Sequence, residues 1–273
     1  MGRPIGRKLL ALAASPTDYR ILFLGDVVGK PGRAIIAEGL PSLRNTYEPL
    51  FTIVNGENAA GGVGITPEIA EEFYAAGADG ITLGNHAFNK REIFPYLSSA
   101  KPIVRPSNLP EGVPGKGIVV IAKSGIELAI INLCGRVFLD NYDDPFRESN
   151  RLLKDLKTPH VLVDFHAEAT SEKIAMGWHL DGRVTAVIGT HTHVQTADEQ
   201  ILPGGTAYIT DVGMSGPLPS VLGMDKDVIL TRFRTSMPTR FEVANEPGVI
   251  YGVVITVEMK SGRARSIERI RFG

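Results

Sequence analysis

The stretch that decides the fold is Val184-Thr185-Ala186-Val187-Ile188-Gly189-Thr190-His191-Thr192-His193, an apolar, strand-like run that ends in two histidines separated by one residue. In an extended segment, successive side chains point in opposite directions. In a tight turn after a strand, both imidazoles can bind neighbouring metal ions. A single His-x-His pattern is weak evidence, so its interpretation depends on whether other strands end in the same way.

Four other predicted strands also end in residue types that bind metals. They lead into Gly25-Asp26, Gly56-Glu57-Asn58, Gly84-Asn85-His86 and Phe165-His166. Taken alone, an Asp after a strand usually belongs to a turn, and a His there usually makes hydrogen bonds in the core. Four of the six histidines nevertheless fall at predicted strand ends. Open α/β sheets place their active sites at the carboxyl ends of strands, so the recurrence predicts a two-metal hydrolase.

The order of the predicted elements indicates an α/β fold. Strands are predicted at 20–24, 51–54 and 80–83, and helices at 31–45, from Pro67 with Thr66 as its cap, and at 90–99. This alternation implies a parallel sheet with right-handed crossovers. Ser124-Gly125 is a two-residue turn signal that predicts a β-hairpin between strands at 118–123 and 127–133. Later strands are predicted at 160–165, 184–189, 206–210, 248–259 and 264–271, and this half of the chain is expected to be more antiparallel. We therefore expect two mixed sheets packed together with helices outside.

Composition and length set the class of protein. With 273 residues, 43% hydrophobic and 22% charged, the chain resembles an ordinary globular protein. No segment has the composition of a linker, so we predict one domain at 20–273 after a disordered or weakly helical extension at 1–19. The single cysteine, Cys134, follows an apolar run and is expected to be buried. It excludes an intramolecular disulfide and fits a reducing cytoplasm. No apolar run approaches the ~20 residues that cross a bilayer, so a membrane span is not expected.

Charge and motifs also restrict the partners. The formal net charge of −1 argues against an extensive phosphate-binding surface, so RNA is not favoured as a partner, although a local basic patch stays open. Gly29-Lys30-Pro31-Gly32-Arg33 lacks the GxxxxGK[ST] pattern of a phosphate loop, which argues against binding of nucleoside triphosphates. Arg33 is either a contact for a substrate phosphate or a solvated helix residue. The sequence does not decide the oligomeric state, and a homo-oligomer stays open.

The donor chemistry restricts the metal. Carboxylate and amide oxygens with imidazoles, and without a thiolate, suit Fe, Mn, Co or Zn. The histidines disfavour calcium. A carboxylate such as that of Glu57 can bridge two ions about 3.5–4 Å apart, which is the arrangement used for phosphoryl transfer.

The order of these motifs resembles that of the calcineurin-like metallophosphoesterases. Two departures are informative: Val28 stands where the superfamily has the His of a D-x-H motif, and Glu57-Asn58 stands where it has a bridging aspartate. This paired change resembles one branch, the YmdB-like phosphodiesterases, in which Glu bridges and the following Asn replaces the missing His. The resemblance runs from about Arg20 to the C-terminus, with Asn89 as a departure where that branch has Asp. Three longer stretches agree with the branch: Leu24–Arg33, Asn55–Gly64 and Thr210–Pro217.

The resemblance implies a four-layered α/β/β/α sandwich of two mixed sheets and a dinuclear metal centre, with iron expected first and manganese or zinc as alternatives. One ion would take Asp26, Glu57, Asn58 and His193. The other would take Glu57, Asn85, His166 and His191, so that Glu57 is shared. His86 is not a ligand in this scheme and resembles the proton donor of the family.

The function that the resemblance implies is hydrolysis of 2′,3′-cyclic nucleotides at the 2′ bond, giving 3′-monophosphates. A hydroxide generated at the metals would attack the phosphate, and His86 would act as general acid. Two alternatives stay open: a phosphomonoesterase acting on nucleotides or phosphoproteins, and a regulatory or RNA-associated module with a structural metal site. Assays against cyclic nucleotides, monoesters and RNA would separate the three.

Overall fold

A computed structural model describes Ser15 and residues 17–273 of the chain. Its first strand begins at Asp18, two residues before the predicted start. Tyr19, assigned to the extension by the sequence, is buried because its ring packs edge-on against Phe51 and its hydroxyl lies 2.9 Å from Nδ1 of His160. Residues 1–14 and Pro16 of the predicted extension lie outside the described residues.

The described part of the chain contains fourteen strands and six helices. The strands are β1 (Asp18–Leu24), β2 (Asp26–Val27), β3 (Phe51–Asn55), β4 (Gly80–Thr82), β5 (Ile103–Val104), β6 (Ile118–Lys123), β7 (Ile126–Cys134), β8 (Val161–His166), β9 (Ala186–Thr190), β10 (Gln200–Ile201), β11 (Ala207–Ile209), β12 (Met214–Pro217), β13 (Gly248–Glu258) and β14 (Ala264–Phe272). The helices are α1 (Gly29–Tyr47), α2 (Pro67–Ala76), α3 (Ile93–Leu97), α4 (Pro145–Lys154), α5 (Thr170–Leu180) and α6 (Lys226–Thr235).

The strands form two mixed sheets, as predicted. The first has the order β2-β12-β13-β1-β3-β4-β5, with β14 paired to β13, and the second has the order β10-β11-β9-β8-β7-β6. In the first sheet β1, β3, β4 and β5 run parallel, whereas β13 lies antiparallel to β1. In the second, β7, β8, β9 and β11 run parallel, and the predicted hairpin joins β6 to β7. The fold class is therefore confirmed.

Three apolar cores separate four layers. Alternation along β1 places Leu22 and Leu24 against α1 and α2, and Ile21 and Phe23 against the second sheet. The middle core thus lies between the two sheets, and a third core packs α4 and α5 on the outer face of the second sheet, with Met176 as one of its members. This is the α/β/β/α sandwich that the resemblance implies.

Most local predictions agree with the structure, and the differences have local causes. Thr66 caps α2 as predicted, since its hydroxyl accepts from the Ile69 N–H at 3.4 Å. The predicted helix at 90–99 is shorter, covering only Ile93–Leu97, because Pro95 has no N–H and fits only within a first helical turn. Four short strands, β2, β5, β10 and β12, were not predicted.

Because β1, β3 and β4 are parallel in the first sheet, their carboxyl ends lie at the same edge of that sheet. The carboxyl ends of the parallel strands β8 and β9 lie next to one another in the second sheet. All five predicted metal-binding motifs follow these ends. Among the described residues, no helix combines the length and apolar character that crossing a membrane requires.

Candidate metal centre

The structure brings all seven predicted ligands into one cluster of contacts between the two sheets. Asp26, Glu57, Asn58 and Asn85 come from the first sheet and the loops that leave it, and His166 is the last residue of β8. The two remaining histidines occupy the turn after β9. Because β8 and β9 are parallel neighbours, with His166 in register with Thr190, the three histidines emerge at the same edge.

Glu57 lies at the middle of the cluster. Its Oε1 is 3.1 Å from Nε2 of His166. Donor atoms of Glu57, His166 and His191 all lie within 4.8 Å of one another, which is the spacing of a metal site. Oδ1 of Asn85 and Nδ1 of His191 lie 2.9 and 3.0 Å from the same His166 nitrogen. These four side chains are the set that the family resemblance assigns to one ion.

The other predicted set adjoins the opposite side of Glu57. The amide nitrogen of Asn58 lies 2.9 Å from Oε1 of Glu57 and 3.2 Å from Nε2 of His193. Oδ2 of Asp26 accepts a hydrogen bond from the His191 backbone N–H at 3.0 Å. Oδ1 of Asp26 is buried and accepts no hydrogen bond from the residues that the structure describes.

Burial and the close approach of charged groups shift the pKa values of the side chains in the cluster. Asp26, Glu57 and His166 are all within 1% of complete burial. Burial raises the pKa of Asp26, and the imidazoles of His193 and His166 offset this only in part. Burial also opposes ionisation of Glu57, but the imidazoles of His166 and His86 hold its pKa well below the usual range. For His166, burial would lower the pKa, but Glu57 and Asp26 outweigh it and raise the pKa to about 9.

These features fit a cation. Two buried carboxylates, one with an oxygen that accepts no hydrogen bond from the described residues, and converging imidazoles form a site whose negative charge a metal ion would neutralise. Gly84 shows how closely the donors approach the backbone: a Cβ there would lie 2.5 Å from Nε2 of His166 and closer still to Oε2 of Glu57. The donor set of oxygens and imidazole nitrogens is one that first-row transition metals accept.

The sequence comparison agrees with the geometry. A family model for YmdB-like proteins matches residues 22–270, which is nearly the whole chain. The chain belongs to the YmdB-like family.

Three relatives are similar over almost their full length. The 2′,3′-cyclic-nucleotide 2′-phosphodiesterase of Bacillus subtilis (strain 168) is 54% identical over 253 residues, covering 92% of this chain and 96% of the relative. The crystal structure of a hypothetical protein from Thermus thermophilus has a TM-score of 0.88 at 42% identity, covering 93% of this chain and 98% of that one. The crystal structure of a novel phosphatase from Mycoplasma pneumoniae has a TM-score of 0.89 at 36% identity, covering 93% of both chains.

In this YmdB-like chain, the predicted proton donor His86 is set apart from the buried histidines. Its backbone N–H donates to Oε2 of Glu57 at 3.2 Å, and its side chain is 32% exposed. Nδ1 of the ring lies 2.8 Å from Oδ1 of Asn58. Nδ1 also lies 3.5 Å from Oε1 of Glu57, so the ring contacts the cluster on a side that is accessible from solvent.

The orientation of Asn58 differs from that of a ligand. An amide binds a metal through its oxygen, because the amide nitrogen has no free lone pair. Here the Asn58 oxygen faces His86, and its nitrogen faces Glu57 and His193. The oxygen and nitrogen of an amide are exchanged by a half-turn of the side chain, and which orientation prevails depends on the hydrogen-bond partners. Ligation by Asn58 would require that half-turn.

A buried hydrogen-bond network that the sequence analysis missed supports two side chains of the cluster, His166 and Glu57. Nδ1 of His166 lies 2.9 Å from the Thr190 hydroxyl, which donates to Oδ1 of Asp164 at 2.7 Å. Oδ2 of Asp164 accepts from Nδ2 of Asn55 at 2.9 Å, and Oδ1 of Asn55 accepts from the Glu57 N–H at 3.1 Å. The network links His166 to Glu57 and directs Nε2 of His166 into the cluster.

The turn that carries His191 and His193 is held in an unusual backbone conformation. Their φ angles are 98° and 64°, in the region that favours glycine. Asp211 holds the turn, because its Oδ2 accepts from the Thr192 N–H at 3.0 Å. Lys173 of α5 donates to the same oxygen at 2.7 Å and to the carbonyl of Thr190 at 2.7 Å. The positive φ angles let His191 approach Glu57 and His193 approach Asn58 from one turn.

Glu168 is a further residue that the sequence analysis missed. Its Oε2 lies 3.1 Å from Nε2 of His191, while Nδ1 of His191 faces His166. The carboxylate therefore contacts the ring nitrogen that points away from the cluster, as outer partners of metal-binding histidines commonly do. The only signal in the sequence was its position two residues after His166.

The structure does not bring Arg33 into the cluster. Arg33 lies on α1 and faces α2, where its Nε is 3.8 Å from Oε2 of Glu72. Both residues line a groove of about 560 Å³ between the two helices, together with Lys30 and Phe73. Cys134 is buried as predicted, and burial raises the pKa of its thiol.

Proposed function

We propose that this chain hydrolyses 2′,3′-cyclic nucleotides at the 2′ ester bond and releases 3′-monophosphates. The observation that carries the proposal is the 54% identity with the Bacillus subtilis 2′,3′-cyclic-nucleotide 2′-phosphodiesterase, which extends over 92% of this chain. The cluster around Glu57 supports it, since a buried set of carboxylates, amides and imidazoles suits a metal-dependent esterase.

The residues that would hold two transition-metal ions are those that the sequence indicated. The ion on one side would take Asp26, Glu57, Asn58 and His193, and the ion on the other side would take Glu57, Asn85, His166 and His191. When bound, such a pair supplies Lewis-acid activation of water and of the phosphate. Glu57 contacts members of both sets at 2.9–3.1 Å, which supports its role as the shared ligand.

His86 would supply the proton that the departing ribose oxygen needs. An alkoxide is a poor leaving group, and general acid catalysis typically contributes ~10²–10⁴-fold. The 32% exposure of His86 and its position beside Glu57 support contact with a substrate held at the cluster. Because Nδ1 is engaged with Asn58, Nε2 is the atom from which the proton would be donated.

The position of Asn58 also bears on where the neutral form of the His86 ring carries its one proton. If the Asn58 oxygen turns toward a metal, its NH₂ group faces Nδ1 of His86 and donates to it. A nitrogen that accepts a hydrogen bond carries no proton, so the neutral ring then holds its proton on Nε2. Asn58 would thus act both as a ligand and as the residue that sets the tautomer of His86.

The proposal is tested by assaying protein loaded with Mn²⁺ or Fe²⁺ against 2′,3′-cyclic AMP, 3′-AMP and nitrophenyl phosphate. We expect turnover of the cyclic diester with 3′-AMP as the product, identified by chromatography against a 2′-AMP standard. A kcat/KM that is far higher for the monoesters than for every diester would instead identify a phosphomonoesterase.

A further inference from the structure

A mostly exposed arm at residues 226–241 projects beside the candidate metal centre. It consists of α6 and the segment that follows. Only Ile229 of the ten residues in α6 is buried. Four large apolar side chains of the arm are strongly exposed: Leu230 at 51%, Phe233 at 78%, Met237 at 63% and Phe241 at 52%. Such a concentration of exposed apolar surface on a small element usually marks a binding surface.

The two ends of the arm are joined at the edge of the metal centre. The Asp225 N–H donates to the carbonyl of Glu242 at 2.8 Å, and Met224 and Val243 form an antiparallel bridge. Val243 in turn packs against the backbone of Gly29, the first residue of α1, and of Gly62, in the loop that follows β3.

A second contact ties the same region to a predicted ligand. The carbonyl of Leu222, which precedes the arm, lies 3.1 Å from Nδ1 of His193. The arm therefore begins and ends beside the cluster, and its rings are exposed to solvent.

The charge of the arm differs from that of the whole chain. The arm carries one acidic residue, Asp227, against four basic residues, Lys226, Arg232, Arg234 and Arg240. Arg232 and Arg234 flank Phe233, and Arg240 precedes Phe241. Aromatic rings on which bases stack, interleaved with arginines that contact phosphates, are the combination that single-stranded RNA favours.

We propose that the arm binds the nucleotides on the 5′ side of the scissile group, so that the substrate class includes oligoribonucleotides that end in a 2′,3′-cyclic phosphate. This inference rests on the proposed function. Attack of a ribose 2′-OH on the adjacent phosphate breaks the bond to the next 5′-oxygen, which leaves with a proton, and closes a 2′,3′-cyclic phosphate on the upstream fragment. RNA cleavage of this type supplies such ends on oligonucleotides, and their upstream nucleotides must leave the site along its rim.

The kinetic test compares 2′,3′-cyclic AMP with a pentanucleotide that ends in the same cyclic nucleotide. In the wild-type protein we expect kcat/KM to be about tenfold or more higher for the pentanucleotide, as base stacking on one exposed ring would provide. The double variant Phe233→Ala/Phe241→Ala should lose this advantage and keep its kcat/KM on cyclic AMP. Trp178→Ala, which removes a ring that is 57% exposed on α5, is the matched control and should retain the advantage.

A binding test separates failure of this inference from failure of the proposed function. The probe is a fluorescein-labelled pentanucleotide 3′-monophosphate, followed by anisotropy. Its Kd should rise in the double variant. In Arg234→Gln/Arg240→Gln the salt dependence should weaken by about 0.7 in slope for each phosphate that the variant no longer neutralises. Arm-dependent binding without turnover of either substrate would remove the proposed function and leave the binding role of the arm standing.

Two results would overturn the inference while leaving the proposed function intact. One is a wild-type protein that cleaves cyclic AMP but shows no advantage for the pentanucleotide. The other is a wild-type oligomer, detected by analytical ultracentrifugation, that the Phe233→Ala/Phe241→Ala variant dissociates without any change in pentanucleotide binding. That result would assign the arm to contact between two copies of this chain.

Discussion

Lys173 and Asp211 form an ion pair at 2.7 Å in which the two residues are 1% and 0% exposed. Neither residue is a predicted ligand. Together they fix the backbone on both sides of His191, because Lys173 donates to the carbonyl of Thr190 and Asp211 accepts from the N–H of Thr192. The geometry of the two turn histidines therefore depends on a charge pair contributed by other parts of the chain.

Replacing Lys173 by Met should destabilise the fold and loosen the turn. The substitution leaves Asp211 as a buried, uncompensated charge, which typically costs about 3–5 kcal/mol. We expect a lower midpoint in thermal unfolding and weaker Mn²⁺ binding by calorimetry. The double variant Lys173→Met/Asp211→Asn removes both charges and should unfold at a higher temperature than Lys173→Met. A double variant no more stable than the single one would show that the charge of Asp211 is not the cause.

Thr190 should influence metal affinity without being a ligand. Thr190→Val removes the hydroxyl between His166 and Asp164 at nearly constant volume, and loss of such an outer partner typically lowers metal affinity by about 10–100-fold. Thr190→Ser keeps the hydroxyl and is the control. Titration with Mn²⁺ measures the effect, and equal affinities for the Val and Ser variants would contradict it.

Metal content should distinguish Glu57 from His166. Because Glu57 contacts members of both ligand sets, Glu57→Ala should reduce the binding of both ions, whereas His166→Ala should chiefly remove one. Elemental analysis of purified protein after saturation with Mn²⁺ measures the number of ions per chain. A wild-type protein that binds one ion, with no second site fillable by Mn or Fe, would rule out the dinuclear centre.

His86→Ala should separate proton donation from metal binding. We expect both ions and the fold to be retained, with kcat on cyclic nucleotides lowered by about 10²–10⁴-fold. A nitrophenyl phosphodiester has a good leaving group that needs little protonation, so it should be affected much less. Equal losses on both substrates, or loss of an ion, would make His86 a ligand or a positioning residue.

Asn58→Asp should change the tautomer of His86 while preserving an oxygen donor for the metal. A carboxylate has no hydrogen to donate to Nδ1, so the neutral His86 ring should move its proton from Nε2 to Nδ1. The ¹⁵N shifts of His86 in Zn²⁺-loaded, labelled protein report the tautomer independently of turnover. Unchanged shifts with both ions bound would show that Asn58 does not control the ring.

The local patterns of the sequence predicted most of the secondary structure and the candidate ligands. The helix cap at Thr66 and the hairpin turn at Ser124-Gly125 were predicted correctly because these signals act over only a few residues. The short strands β2 and β12 were missed because their pairing, Asp26 with Met214, joins residues far apart in sequence. Gly216 and Pro217 gave no strand signal of their own.

What the sequence determined by itself was the donor chemistry: which side chains follow which strands, and that parallel strands would gather them at one edge. The tertiary structure decided how each donor is aimed. The positive φ angles of His191 and His193, the Lys173–Asp211 pair and the Thr190–Asp164 contact arise from packing between distant segments. A spacing of residues fixes which side chains can meet. The direction of each lone pair is set by neighbours that only the folded chain brings together.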